Sequence, residues 1–159
     1  MVFIITAFIC IIFFILCYIN TGTDEKNLKS YSSYPQEVQN RIQKIEEYKN
    51  QLKIKNKTTI FLTNMMIFLV ILFLVGLIIR EKDFWHNFFN LSVIGQGINL
   101  FDLFVIDLLW WRHTKRIRFT KIPEKSLYQN PQKHFEAFFR AFIMYFLIAL
   151  IDGFLLTFI

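Results

Sequence analysis

Residues 2–19 read VFIITAFICIIFFILCYI, a run without one charged side chain. About 20 apolar residues, at 1.5 Å per residue, cross the ~30 Å hydrocarbon core of a bilayer as a helix. Three further runs approach or exceed that length. TIFLTNMMIFLVILFLVGLII covers 59–79, a weaker run covers 84–111, and the last begins near Phe135 and continues over 135–159. Backbone groups in lipid must be bonded internally, and no segment shows the ~10-residue alternation of a barrel strand, so all four are read as helices. Composition agrees: 55% of residues are hydrophobic and 19% charged, against about a quarter charged in ordinary soluble domains. The expected fold is all-α, a polytopic membrane helical bundle forming a single membrane domain over 1–159, with loops at 20–58 and 112–134. The first run lacks the basic flank and small-residue cleavage site of a signal peptide, so it is expected to remain as a helix. Its Cys10 and Cys17 are expected to be buried free thiols.

Basic residues in the loops set the orientation. Lys26, Lys29, Arg41, Lys44, Lys49, Lys53, Lys55 and Lys57 fall in the first loop. Only Arg80 and Lys82 fall in the second, whereas Arg112, Lys115, Arg116, Arg118, Lys121, Lys125 and Lys133 fall in the third. This alternation places both long loops in the cytoplasm and both chain ends outside, in the plasma membrane of a cell, a bacterial inner membrane in the simplest reading. The formal charge of +6 is then mostly a topology signal. Arg112, Lys115, Arg116, Arg118 and Lys121 abut a membrane helix and carry no nucleic-acid module, so they are expected to meet anionic lipid headgroups, at about 1 kcal/mol per basic residue.

Within the first loop, SYPQEVQNRIQKIEEYKNQLKIKNK predicts a cytosolic amphipathic helix. Ser33 and Gln36 have capping-box spacing, and Pro35 sits in the first turn. Val38, Ile42, Ile45, Tyr48 and Leu52 then draw one apolar stripe. Three coverings are open to it: the inner membrane surface, which is preferred, the other loop, or a second copy.

The third run carries the polar puzzle. Its fourteen large apolar residues between Phe88 and Leu109 supply roughly −4 to −8 kcal/mol for insertion, and two central aspartates at about +2.5 to +3.5 each nearly cancel that sum. Such a helix needs partners. At 100° per residue Ser92, Gln96, Asn99, Asp102 and Asp107 fall within an arc of about 140°, a polar intramembrane face to which Asp152 of the last helix is added by depth. Matched depth also predicts an ion pair between Asp107 and Arg140. Gly95 and Gly97 are read as close-packing positions. No metal-ligand spacing occurs, and no cofactor is expected.

The stretch NLFDLFVIDLLWW, the proline-containing loop after it and HFEAFFRAF together resemble an uncharacterised group of small bacterial multi-pass, four-helix membrane proteins. The resemblance covers the C-terminal part of the chain from Asn99 onward, and implies an architecture without an activity. From the residues, the leading expectation is a protein that works by contact, as an accessory subunit, a homo-oligomer or an immunity-type protein within a larger membrane complex. Proton- or cation-coupled transport with Asp102 central is the alternative. An enzyme acting on lipid headgroups through Asp102, Asp107 and His113 is disfavoured, because five residues of α-helix put the two acids 140° apart, and only a distorted helix would bring them together.

Overall fold

The computed structural model describes residues 1–52 and 56–159. The basic end of the expected loop helix, at 53–55, lies outside the described residues. The described chain is all-helical, and four helices are long and apolar enough to cross a membrane. Its elements are α1 (Val2–Ile19), α2 (Asp24–Lys29), α3 (Gln36–Lys44), α4 (Glu46–Lys49), α5 (Lys57–Ile79), α6 (Phe84–Phe101) and α7 (Gln132–Leu155). α6 continues as a π-helix over Asp102–Trp111.

Side chains close the helix ends as their chemistry predicts. The last carbonyls of α1 have no intrahelical donor, so Lys26 Nζ bonds Ile19 O at 3.0 Å and Arg116 Nη2 bonds Tyr18 O and Thr21 O at 3.1 and 3.0 Å. Gly22, at φ +107°, turns the chain away beneath that guanidinium. Thr23 caps α2, Asn56 caps α5, Asp83 accepts from the His86 amide at the start of α6, and Asn130 accepts from the Gln132 amide at the start of α7. Pro131 before Gln132 has no amide to leave unsatisfied.

Two compact units result. The first takes Met1–Ile11, α5, α6 and Phe138–Ile159. Its core is apolar: Leu72 from α5, Leu91, Ile94 and Ile98 from α6, and Ile148 and Ala149 from α7 are fully or almost fully buried. Asn87, also buried, donates to Glu81 O and accepts from Glu81 N, which closes the short α5–α6 turn.

The second unit includes the rest of α1, the first loop through α4 and Asp102–Ala137. Here the two long loops fold on one another into a cap with an aromatic core. Tyr34, Val38, Ile42, Tyr48, Ile117, Phe119, Ile122 and Tyr128 are at most 1% exposed, with Trp111 and Leu28 beside them. The buried phenols are each bonded: Tyr34 OH donates to Ile117 O at 2.8 Å and Tyr128 OH to Ile122 O at 2.7 Å. Burial pushes Tyr34 well up and Tyr128 up to about 12, so the core stays uncharged at neutral pH. Asp24 ties the loops together, accepting from the Thr120 amide and from the hydroxyls of Thr120 and Tyr48.

The stripe Val38, Ile42 and Tyr48 is therefore covered by the other loop, one of the three coverings open to it, and not by the membrane surface that the sequence favours. Ser33 does not cap the helix: it lies in a 3-10 turn, and α3 begins at Gln36 with no side-chain cap. Nor is the helix continuous, since Ile45 adopts an extended conformation (φ −95°, ψ 110°) between α3 and α4. The break lets Tyr48 reach Phe119 and Asp24, contacts that reward ending the helix more than its last turns would.

Ile42→Ala should destabilise the cap by about 2 to 5 kcal/mol, the range for a fully buried Ile losing its side chain. Hydrogen exchange should show the amides of 34–48 losing protection together. Unchanged protection there would mean that Ile42 carries no core.

Candidate functional site

The π-helix changes which residues of the third long helix share a face. In α-winding, residues five apart stand 140° apart, whereas hydrogen bonding from i to i+5 stacks residues five apart along one face. Asp102 opens the π-helical stretch and Asp107 lies five residues on. The distorted helix that the sequence argument required before these acids could converge is present.

Asp107 does not stand alone. Its Oδ2 lies 2.9 Å from His134 Nδ1, with the two side chains 15% and 4% exposed. His134 sits in the first turn of α7, two residues inside its start at Gln132. The indole of Trp111 meets the imidazole edge-on at 4.8 Å, which fixes the ring plane. With Nδ1 directed at a carboxylate, Nε2 is the other position of the ring, and it is buried without a hydrogen-bond partner among the described residues. Whether Nε2 carries a proton or a lone pair, one buried polar valence is left open.

The expected partner of Asp107 is Arg140, whereas the pair found within this unit is with His134. Arg140 is exposed and makes no ion pair among the described residues. Depth alone had matched it to Asp107; the α7 start earlier than Phe135 and the wider winding of the π-helix instead deliver His134. The sequence carried a signal for this, because Asn130-Pro131 is a capping pair that puts His134 inside the helix rather than in the loop.

The other expected polar residues divide into two groups. Gln96 Nε2 donates to Phe142 O at 3.0 Å and Asn99 Nδ2 to Phe138 O at 3.3 Å, so two α6 amides bond successive turns of the α7 backbone. A Cβ on Gly95 would stand 2.9 Å from the Tyr145 ring, and one on Gly97 2.8 Å from Thr6, so both glycines serve close packing. Ser92 Oγ and both oxygens of Asp152, by contrast, are buried without a hydrogen-bond partner among the described residues.

Of the basic residues expected at lipid headgroups, Arg116 is committed to the end of α1 and to the Tyr18 ring, 3.9 Å below it. Lys121 pairs with Glu47. Lys115 is exposed, while Arg112 and Arg118 are half-buried. His113, the histidine of the enzyme reading, is exposed and bonds Leu109 O at 2.7 Å. Among the described residues no three His, Cys, Asp or Glu side chains are placed to hold a metal ion.

Comparison with protein-family models, curated proteins and solved structures finds no match.

Asp107→Leu and His134→Leu should each destabilise the detergent-solubilised protein by about 1.5 to 3 kcal/mol, the worth of a buried hydrogen bond to a charged group. The double variant should recover much of the loss, whereas Arg140→Leu should stay within about 0.5 kcal/mol of wild type. Strictly additive losses at 107 and 134 in thermal unfolding would show that the pair is not coupled.

Proposed function

We propose that the chain is a multi-pass integral membrane protein whose buried Asp102–Asp107–His134 array binds and releases protons. Ionisable groups inside a membrane helix are expensive and are kept mainly for ion or proton handling. The observation that carries the reading is His134: enclosed, oriented by Asp107 through Nδ1, and open at Nε2. Imidazole is the side chain whose proton exchanges nearest neutral pH, and a carboxylate on one nitrogen leaves the other free to take or give it. A π-helical segment is often found at functional sites, and here it supports a second carboxylate, Asp102, on the same face as Asp107. The enzyme reading loses ground, because a base sealed from solvent at Nε2 meets no headgroup.

The contact reading keeps one specific support. Gln96, Asn99 and the glycines of α6 are spent on packing α7, as expected of polar residues that serve helix association. In that reading the protein is an accessory subunit or homo-oligomer, and the His134–Asp107 pair only locks α7 to the π-helix. The loops are proposed to face the cytoplasm and anionic headgroups, with Lys115, Arg112 and Arg118 the residues free to meet them, and both chain ends to face outward.

Two experiments test these statements. Single cysteines at Lys44 and Lys125, in a background lacking Cys10 and Cys17, should resist an impermeant thiol reagent in intact cells, while one at Lys82 should react; labelling at Lys44 from outside overturns the orientation. In proteoliposomes loaded with a pH-sensitive dye, wild-type protein should dissipate an imposed pH gradient faster than empty vesicles. His134→Gln and Asp102→Asn should return the rate at least tenfold toward the empty-vesicle value without loss of the folded protein. Wild-type vesicles no leakier than empty ones would give the contact reading precedence.

A further inference from the structure

Asp152 takes no part in the array just described, yet it is wholly buried and neither of its oxygens has a hydrogen-bond partner among the described residues. Ser92 Oγ on α6 is buried and unpartnered as well. The helix register sets the two at neighbouring levels of facing helices, with no direct hydrogen bond between them. A Cβ on Gly153 would lie 3.1 Å from Phe88 N, and one on Gly95 2.9 Å from Tyr145, so α6 and α7 run antiparallel with Asp152 level with Phe88 and Ser92 one turn further along α6. Cα–Cβ bonds tilt toward a helix's own N-terminus. On antiparallel helices the tilts oppose, so the Asp152 side chain leans toward the level of Ser92 and the Ser92 side chain toward that of Asp152.

Among the described residues no cation pairs with this carboxylate. The other buried polar residues of the unit, Asn87 and Asn99, have their amides engaged at Glu81 and at Phe138 O. Arg80, which follows α5, and Arg140 on α7 are exposed, and His86 on α6 is held by Glu81 and Asn90. α5 lays Leu72, Gly76 and Ile79 into the core, none of them titratable. A carboxylate enclosed among apolar side chains needs one compensating positive charge. The donors are oxygens only, which excludes a soft metal, and a single carboxylate would leave a divalent ion with excess charge.

We propose that Asp152 and Ser92 form a second buried site, which takes one hard monovalent cation, a proton or Na+. The Asp152 carboxylate supplies the charge and Ser92 Oγ a neutral ligand or hydrogen-bond partner. The site is independent of the His134 array.

Two measurements on the purified full chain in detergent decide. Thermal unfolding in NaCl against choline chloride at equal ionic strength reads Na+, and the infrared carboxyl C=O band reads a bound proton. If Na+ is the occupant, Tm should rise by about 3 to 5 °C per tenfold increase in Na+ above its Kd, a dependence lost in Asp152→Asn and weakened in Ser92→Ala. If a proton is the occupant, wild type should show a protonated-carboxyl band at neutral pH that Asp152→Asn removes and Ser92→Ala shifts. Either result supports the site, and His134→Gln and Asp107→Asn should leave it intact even where they abolish proton flux. The absence of any Asp152-dependent Na+ response and band overturns it. Should Asp152→Asn not fold, a Ser92→Ala protein with an unshifted band and an unchanged Na+ response does the same.

Discussion

From Asp102 to Trp111 the backbone reaches five residues back for its hydrogen bonds instead of four, and the chemistry of the site depends on that choice. α-winding would set Asp102 and Asp107 about 140° apart, at the two edges of the polar arc, and leave two acids to be satisfied separately. The wider winding brings them closer to one face, which His134 of α7 meets at Asp107. π-helices are usually single-turn bulges, because the wider ring packs its backbone less well. A stretch of ten residues must therefore be held by its surroundings. Trp111 at its end supplies part of that hold, packed at once against Tyr34 and Tyr128 of the cap core and against His134.

The cap explains why the basic loops are not simply a charged skirt. Arg116 caps the end of α1, Asp24 fastens the 112–134 loop through Thr120, and Arg41 pairs with Glu124 at 3.1 Å across the two loops. Such exposed pairs contribute little by themselves. Burial of the aromatic core at about 25 cal/mol per Å² dominates, and the polar contacts select which surfaces meet.

The four long helices, their rough bounds and the close packing at Gly95 and Gly97 were legible in the sequence, because apolar length and small residues act locally. The partner of Asp107 was not. Rise per residue gives depth, but the direction of a side chain depends on winding, and nothing in NLFDLFVIDLLWW distinguishes π from α: its Leu, Phe, Val and Ile suit either. The covering of the Val38, Ile42 and Tyr48 stripe was equally undetermined. An apolar stripe demands a cover, yet its periodicity is the same whether lipid or the Ile117, Phe119 and Ile122 cluster supplies it. The break at Ile45 has no Gly or Pro to announce it, since it follows from tertiary contacts of Tyr48.

The polar residues of α6 and the π-helix look like one set in the sequence, and the structure separates them by how completely each is satisfied. Gln96 and Asn99 bond carbonyls that already accept an intrahelical amide, so they use spare lone pairs and lock one helix to another without leaving a demand behind. His134 Nε2, Ser92 Oγ and the Asp152 carboxylate leave demands open in places that water does not reach in this structure. A buried unsatisfied group costs about 1 to 3 kcal/mol, and more if it is charged. A chain that only needed its helices to associate could satisfy or delete such groups, as it does at Gln96 and Asn99. The open valences at His134 and Asp152 are the ones that the proposed proton and cation sites would fill.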